Sequence, residues 1–137
     1  MIVLSACNFS DTQAAKNYNI SLSASQEVHA VTSSATATAS LKLVEGTKTN
    51  ILTITGSYKN LTGPAIAAHW HGPALEGEVG PIVFKLDIVE GSSPGTGTFS
   101  GQKDLTNNEI HFYLAHQSYI NIHTAKYKKG EIRGQVK

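Results

Sequence analysis

Two histidines separated by one residue are the residues of this sequence best suited to bind a metal. They are His69 and His71 in the segment AAHWHGPA, and the chain's one tryptophan, Trp70, lies between them. Side chains at positions i and i+2 of a β-strand point to the same face, with Cα atoms about 6.5 Å apart. Two imidazoles at that spacing reach one ion at about 2 Å per bond, but two ligands alone hold it poorly. The alternative is a pair of partly exposed histidines beside a buried tryptophan.

His123 is the candidate for a third ligand. It ends the alternating segment YINIHT and precedes a lysine-rich loop, and sites are commonly built where loops meet a rigid scaffold. The alternative is a histidine at a strand edge with no ligand role. Three other histidines are candidates for a fourth ligand, although each pattern is more typical of a surface position: His29, His111 and His116.

The available donors limit the choice of metal. Imidazole suits copper, zinc, nickel or iron better than calcium or magnesium. The one cysteine, Cys7, precedes the region that is patterned like a folded domain. A three-histidine site without thiolate is compatible with copper or with catalytic-type zinc.

The elements that position these histidines are predicted to be β-strands. The chain has 137 residues and a formal charge of +1, which favours one domain and gives no global field for binding nucleic acid. Apolar residues alternate from Asn19 onward, with core candidates at Leu41, Leu43, Ile51 or Leu52, Ile54 and Tyr58. Such close, regular strands predict an all-β fold, a Greek-key sandwich or barrel.

One segment departs from the strand pattern. In LTNNEIHFYLAHQ, Thr106 and Glu109 have the spacing of a capping box, and apolar residues follow at helical spacing. We therefore predict one short helix of about ten residues there.

The N-terminal segment indicates export. Met1 to Ala6 is apolar and ends in small residues before Cys7, and LSAC resembles the lipobox of bacterial lipoproteins, in which the cysteine is lipidated. A basic region and most of an apolar region are missing from this signal; the alternative is a short N-terminus with an ordinary cysteine. We expect residues 1–18 to be a truncated lipoprotein signal and tether, residues 19–137 to be the β domain, and Cys7 to be its membrane anchor.

Several segments together resemble the CHRD domain, a family named for its repeats in chordin and frequent in bacterial secreted proteins and lipoproteins. They are ISLSASQEVHAVTSSATATASLKL, LTGPAIAAHWHGPA, GPIVFKL and YINIHTAKYKKGEIRGQ. The resemblance runs from about Ile20 to Val136. Two departures are the absence of prolines at His29-Ala30 and of a Pro-Gly turn at Lys128-Lys129.

A looser resemblance concerns the copper site of copper–zinc superoxide dismutases, which are Greek-key β-barrels. It implies that His69, His71 and His123 are copper ligands and that Arg133 guides small anions such as superoxide toward the metal. It also implies that the bound metal is copper in preference to zinc. The zinc-side ligands and the disulfide of that family have no evident counterpart in this sequence.

Three classes of function follow from these patterns. The first is an exported, copper-binding CHRD protein with superoxide dismutase-like activity, in which a basic rim of Lys126, Lys128 and Lys129 attracts the anion. The second is a non-enzymatic protein of copper storage or delivery. The third is a metal-free adhesion or protein-binding module. A hydrolase is not favoured, because the sequence has no recognisable nucleophile elbow or phosphate-binding loop.

Overall fold

The computed structural model describes residues 15–137, which form a closed antiparallel β-barrel of eight strands with one short α-helix. The elements in chain order are β1 (Ala15–Ser23), β2 (Thr36–Glu45), β3 (Asn50–Lys59), β4 (Ala65–His71), β5 (Ile82–Glu90), β6 (Gly97–Asp104), α1 (Asn107–Leu114), β7 (Tyr119–Thr124) and β8 (Ile132–Gln135). β1 begins four residues before the predicted start of alternation at Asn19. Within the described range, no helix has the length and apolar character to span a membrane. Cys7 and the LSAC segment lie outside the described residues.

The strand order around the barrel is β1-β2-β3-β6-β5-β4-β7-β8. Strands β4, β5 and β6 follow one another as neighbours, while β3 lies beside β6 and β7 lies beside β4. The four strands β3 to β6 and the four strands β4 to β7 therefore each have the order of a Greek key. The predicted all-β fold is confirmed. The barrel closes through a single residue pair, Ser23 of β1 opposite Arg133 of β8.

The alternation seen in the sequence fills the barrel interior. β2 alternates between exposed and buried residues over most of its length, and Leu41 and Leu43 are fully buried. Leu52, not Ile51, is the buried residue at the start of β3. The same interior takes up the inward-facing residues of the other strands, including Leu22, Ile54, Trp70, Phe99, Ile120, Ile122 and Ile132.

The predicted helix is present and has eight residues. Thr106 and Glu109 form the capping box: the Thr106 side chain accepts the Glu109 backbone N–H, and the Glu109 carboxylate accepts the Thr106 N–H. Phe112 and Tyr113 of the helix are buried against the core.

Glu131 joins three segments of the chain: the β1–β2 loop, the β3–β4 loop and the end of β7. Its Oε1 accepts hydrogen bonds from the hydroxyls of Thr62 and Thr124, each at 2.7 Å. Its Oε2 accepts from the Ser33 hydroxyl at 2.5 Å and the Thr62 N–H at 3.1 Å. These donors outweigh the cost of burial and lower the pKa of Glu131.

We predict that Glu131→Gln lowers the free energy of unfolding by about 1–3 kcal/mol at pH 7, because an amide donor replaces an acceptor that faces hydroxyl donors. The folded-state pKa lies below the ordinary 4.5, so the carboxylate contributes its full stability above 4.5 and loses it as the pH falls through the folded value. Urea denaturation at pH 7 and pH 3 measures both effects. The difference between wild type and variant should shrink at pH 3, whereas Glu45→Gln, at the end of β2, should be nearly neutral at pH 7. An equal difference at both pH values would contradict this role of the carboxylate.

Candidate metal centre

Strand β4 turns Trp70 into the barrel and the two neighbouring histidines outward. Trp70 is fully buried, and its ring lies 5.5 Å from that of Phe112 and 5.9 Å from that of Phe84, measured between centroids. His69 and His71 lie on the outer face, with ring centroids 5.6 Å apart. The strand period of two thus places both imidazoles on one surface, as the sequence indicates.

The glycine that follows the pair is needed for close packing. A Cβ at Gly72 would lie 2.4 Å from the Phe112 ring, so any side chain there would displace an aromatic residue that packs on Trp70. Gly72 therefore allows the chain to pass close to α1 as it leaves β4 and enters the loop of residues 72–81.

Strand β7 supplies the third histidine. β7 pairs with β4 so that His123 lies opposite Ala67, and Asn121 lies opposite His69. The distance from His69 Nδ1 to His123 Nε2 is 3.2 Å. One ligand nitrogen from each of His69, His71 and His123 lies within 4.8 Å of the others.

Backbone carbonyls determine the tautomers of two of these imidazoles. His71 Nδ1 lies 2.9 Å from the Gly80 carbonyl oxygen, and His123 Nδ1 lies 2.8 Å from that of Lys128. Because a carbonyl only accepts, each Nδ1 carries the proton and donates it. The Nε2 lone pairs of the neutral imidazoles then face the cluster, as metal coordination requires.

The three histidines are held in the neutral form. Burial, with the nearby charges of His123, His71 and Lys85, lowers the pKa of His69 to about 4. Burial also lowers the pKa of His71 and of His123. All three imidazoles are therefore available as ligands at neutral pH.

Arg133 lies beside this cluster, but three of its five N–H donors are already used. Its guanidinium donates to the carbonyls of Glu78 at 2.6 Å and Leu75 at 3.1 Å, and to Gln135 Oε1 at 2.9 Å. It also stacks on the Tyr119 ring, 3.6 Å from the centroid. Arg133 is on the outer face of β8 and 2% exposed, because the loop of residues 72–81 covers it. It holds that loop over the sheet, a role that the spacing in the sequence does not reveal.

A cavity of about 250 Å³ adjoins the histidines. Among the residues that line it are Glu27, His29, His71, Asn121, His123 and Arg133. Oε2 of Glu27 is buried and has no hydrogen-bond partner among residues 15–137. Burial raises the pKa of Glu27 to about 7, although the Arg133 charge and the Asn121 amide favour the ionised form.

The remaining predicted residues lie apart from the three-histidine cluster or at its margin. His29 reaches the cavity, but its Nε2 lies 2.9 Å from the Gly130 carbonyl. His111 and His116 are exposed, and His116 packs edge-on against Tyr18. The lysines of the β7–β8 loop, Lys126, Lys128 and Lys129, are exposed as a basic rim would require.

Sequence reasoning missed the groups that orient the ligands. It did not predict that the backbone carbonyls of Gly80 and Lys128, rather than side-chain carboxylates, accept the imidazole N–H groups. It also missed Asn121, whose amide contacts two of the histidines. Asn121 precedes His123 by two positions, so the strand alternation was a usable signal.

Fold and site together define a class of protein: a small Greek-key barrel with a histidine cluster on its outer face, covered by loops. The CHRD domain model matches residues 18–136. The chain belongs to the CHRD domain family, as the sequence resemblance predicts. Among curated proteins and among solved structures, nothing matches the chain.

The raised pKa of Glu27 generates a prediction for the metal-free protein. The folded carboxyl holds its proton up to about pH 7, whereas the unfolded one releases it near 4.5. The folded state thus binds more protons between these values, and its stability falls as the pH rises through that range. Glu27→Gln removes this loss.

We expect Glu27→Gln to gain about 1–2 kcal/mol relative to wild type between pH 4.5 and pH 8, which is less than the full shift implies because Glu27 as a whole is partly exposed. Urea denaturation at the two pH values measures the gain. Asp87→Asn, at an exposed position of β5, is the matched control and should show no such pH dependence. A constant difference between Glu27→Gln and wild type would refute the shift.

Proposed function

We propose that this CHRD domain binds one copper ion through His69 Nδ1, His71 Nε2 and His123 Nε2. The observation that carries the proposal is the convergence of three imidazole nitrogens from two strands, two of them with the opposite nitrogen donating to a backbone carbonyl. Histidine ligands of metals are usually oriented by such outer hydrogen bonds.

The separation of two of the donors fits a single ion. Two ligands each about 2.0–2.1 Å from a metal are about 3.3 Å apart in tetrahedral geometry and about 2.9 Å apart at a right angle. His69 Nδ1 and His123 Nε2 are separated by 3.2 Å, so they suit the same ion without large movement of either strand.

The donor set supports copper over zinc. All three donors are imidazoles, and a given nitrogen site binds Cu²⁺ more tightly than Zn²⁺ in the general order of divalent metals. We further propose that the protein acts in the cell envelope, anchored through Cys7, because LSAC resembles a lipobox.

A copper titration of the purified protein tests the site. Wild type should bind one equivalent, with nitrogen hyperfine structure in its EPR spectrum. His69→Ala and His123→Ala should weaken binding by more than the roughly 10–100-fold that loss of an outer-shell partner costs. His111→Ala, which changes an exposed histidine on α1, should bind like wild type.

The result that contradicts the proposal is equally definite. Wild type without stoichiometric copper would leave the histidines structural and favour a protein-binding module. Equal weakening in His111→Ala and His69→Ala would show that the copper lies elsewhere.

The exposure of His69 favours superoxide dismutase-like activity as a second proposal. His69 is only partly buried, and the exposed Lys85 lies opposite it on β5. A bound copper ion would supply one-electron redox chemistry, which the net conversion of two superoxide anions and two protons into oxygen and hydrogen peroxide requires. Lys85 raises the local concentration of a small anion beside the site.

The copper-loaded protein should therefore remove superoxide at a rate that falls with ionic strength. Lys85→Met should slow the reaction about 2–10-fold at low salt, since it removes one nearby cation. Lys48→Met, on the exposed turn between β2 and β3, should not slow it. Tight copper binding without superoxide removal would instead assign the domain to copper storage or delivery.

A further inference from the structure

Asn121 occupies the centre of the histidine cluster. It is 4% exposed and lies on the outer face of β7, opposite His69 on β4 and Arg133 on β8. Its Oδ1 is 2.9 Å from His71 Nε2 and 3.0 Å from His123 Nε2. The amide oxygen is thus as close to the two ligand nitrogens as His69 Nδ1 is to one of them.

The surroundings of the amide decide which of its ends faces the histidines. Nδ2 lies 3.5 Å from the Lys129 carbonyl oxygen. A Cβ at Gly130 would lie 2.7 Å from Nδ2 and 2.3 Å from Glu27 Oε2, so this glycine, with φ 121°, leaves room for both groups. The amide nitrogen donates to the Lys129 carbonyl there, and Oδ1 therefore faces the histidines.

This orientation brings together acceptors with no proton to share. The protons of His71 and His123 are on Nδ1, where they are donated to the carbonyls of Gly80 and Lys128. The Nε2 lone pairs of His71 and His123 consequently face Asn121 Oδ1, at 2.9 Å and 3.0 Å. A cation among them satisfies all three groups, and these separations match ligands at right angles around one ion at about 2.0–2.1 Å.

We propose that Asn121 Oδ1 is the fourth ligand of the ion held by His69, His71 and His123. This inference rests on the proposed copper function and completes it with a three-nitrogen, one-oxygen donor set. None of the three histidines expected to supply a fourth ligand takes this place: His29 bonds Gly130, and His111 and His116 are exposed. Nitrogen and oxygen ligands at right angles are typical of tetragonal Cu²⁺.

Two substitutions separate ligation from support. Asn121→Leu has a similar shape and no ligand atom, so it should weaken copper binding by more than the roughly 10–100-fold that loss of an outer-shell partner costs, as measured by competition with a chelator. It should also change the parallel g value and copper hyperfine splitting while the three-nitrogen superhyperfine pattern remains. Asn121→Asp places an anionic oxygen at the same position and should bind copper at least as tightly as wild type.

A matched control guards against a general effect on β7. Gln117→Leu changes a partly buried polar residue two positions before β7 and should leave affinity and spectrum unchanged. Thermal unfolding of each metal-free variant checks that it folds; if Asn121→Leu does not, Asn121→Asp decides through its affinity and its shifted g value.

The outcomes distinguish this inference from the proposed function. Wild type that binds copper, with unchanged affinity and EPR spectrum in Asn121→Leu, overturns the fourth ligand alone. So does equal weakening in Asn121→Leu and Asn121→Asp with a wild-type spectrum, which identifies the amide as a positioning group. Wild type that binds no copper overturns the proposed function and, with it, the ligand assignment.

Discussion

The burial of Trp70 is the constraint from which the rest of the site follows. A strand that places this ring in the barrel interior must direct the residues on both sides of it to the outer face. The ring is fixed by Phe84 and by Phe112 of α1, so neither histidine of β4 can turn inward without emptying the core. A large aromatic side chain in the interior therefore sets the direction of two polar side chains on the surface.

An outward position alone would leave the imidazoles in water, and loops change that environment. The carbonyls of Gly80 and Lys128 come from the β4–β5 and β7–β8 loops, one on each histidine whose tautomer is fixed. Arg133 and Glu131 hold those loops through charge-assisted hydrogen bonds to backbone and hydroxyl groups. The electrostatics of the cluster thus depend on segments without regular structure, which two buried charged residues keep in place.

The strand period made much of this predictable from the sequence. Alternation correctly placed the core, and the capping-box spacing located α1 to within a few residues. The direction of His69 and His71 also followed, because it depends only on the next residue along the strand. Which strands become neighbours did not follow, because the pairing of β4 with β7 joins residues about fifty positions apart, and no local pattern records it. The contacts of Arg133 were missed for a related reason: two of its three acceptors are backbone carbonyls, which have no signature in residue types.

The closure of the barrel has a consequence for how the outer face fluctuates. β1 and β8 share one residue pair, and the Gln26 side chain continues the contact by accepting the Gln135 N–H and donating to the Ser21 carbonyl. A seam held partly by a side chain opens at a lower free energy than a full ladder. Amide hydrogens along β8 should then exchange with solvent sooner than those of the β2–β3 hairpin. Each such opening moves Arg133, and with it the loop that shields His71. The histidine cluster thus lies next to the strand pair with the fewest paired residues, so its contact with solvent depends on this seam as well as on the loops.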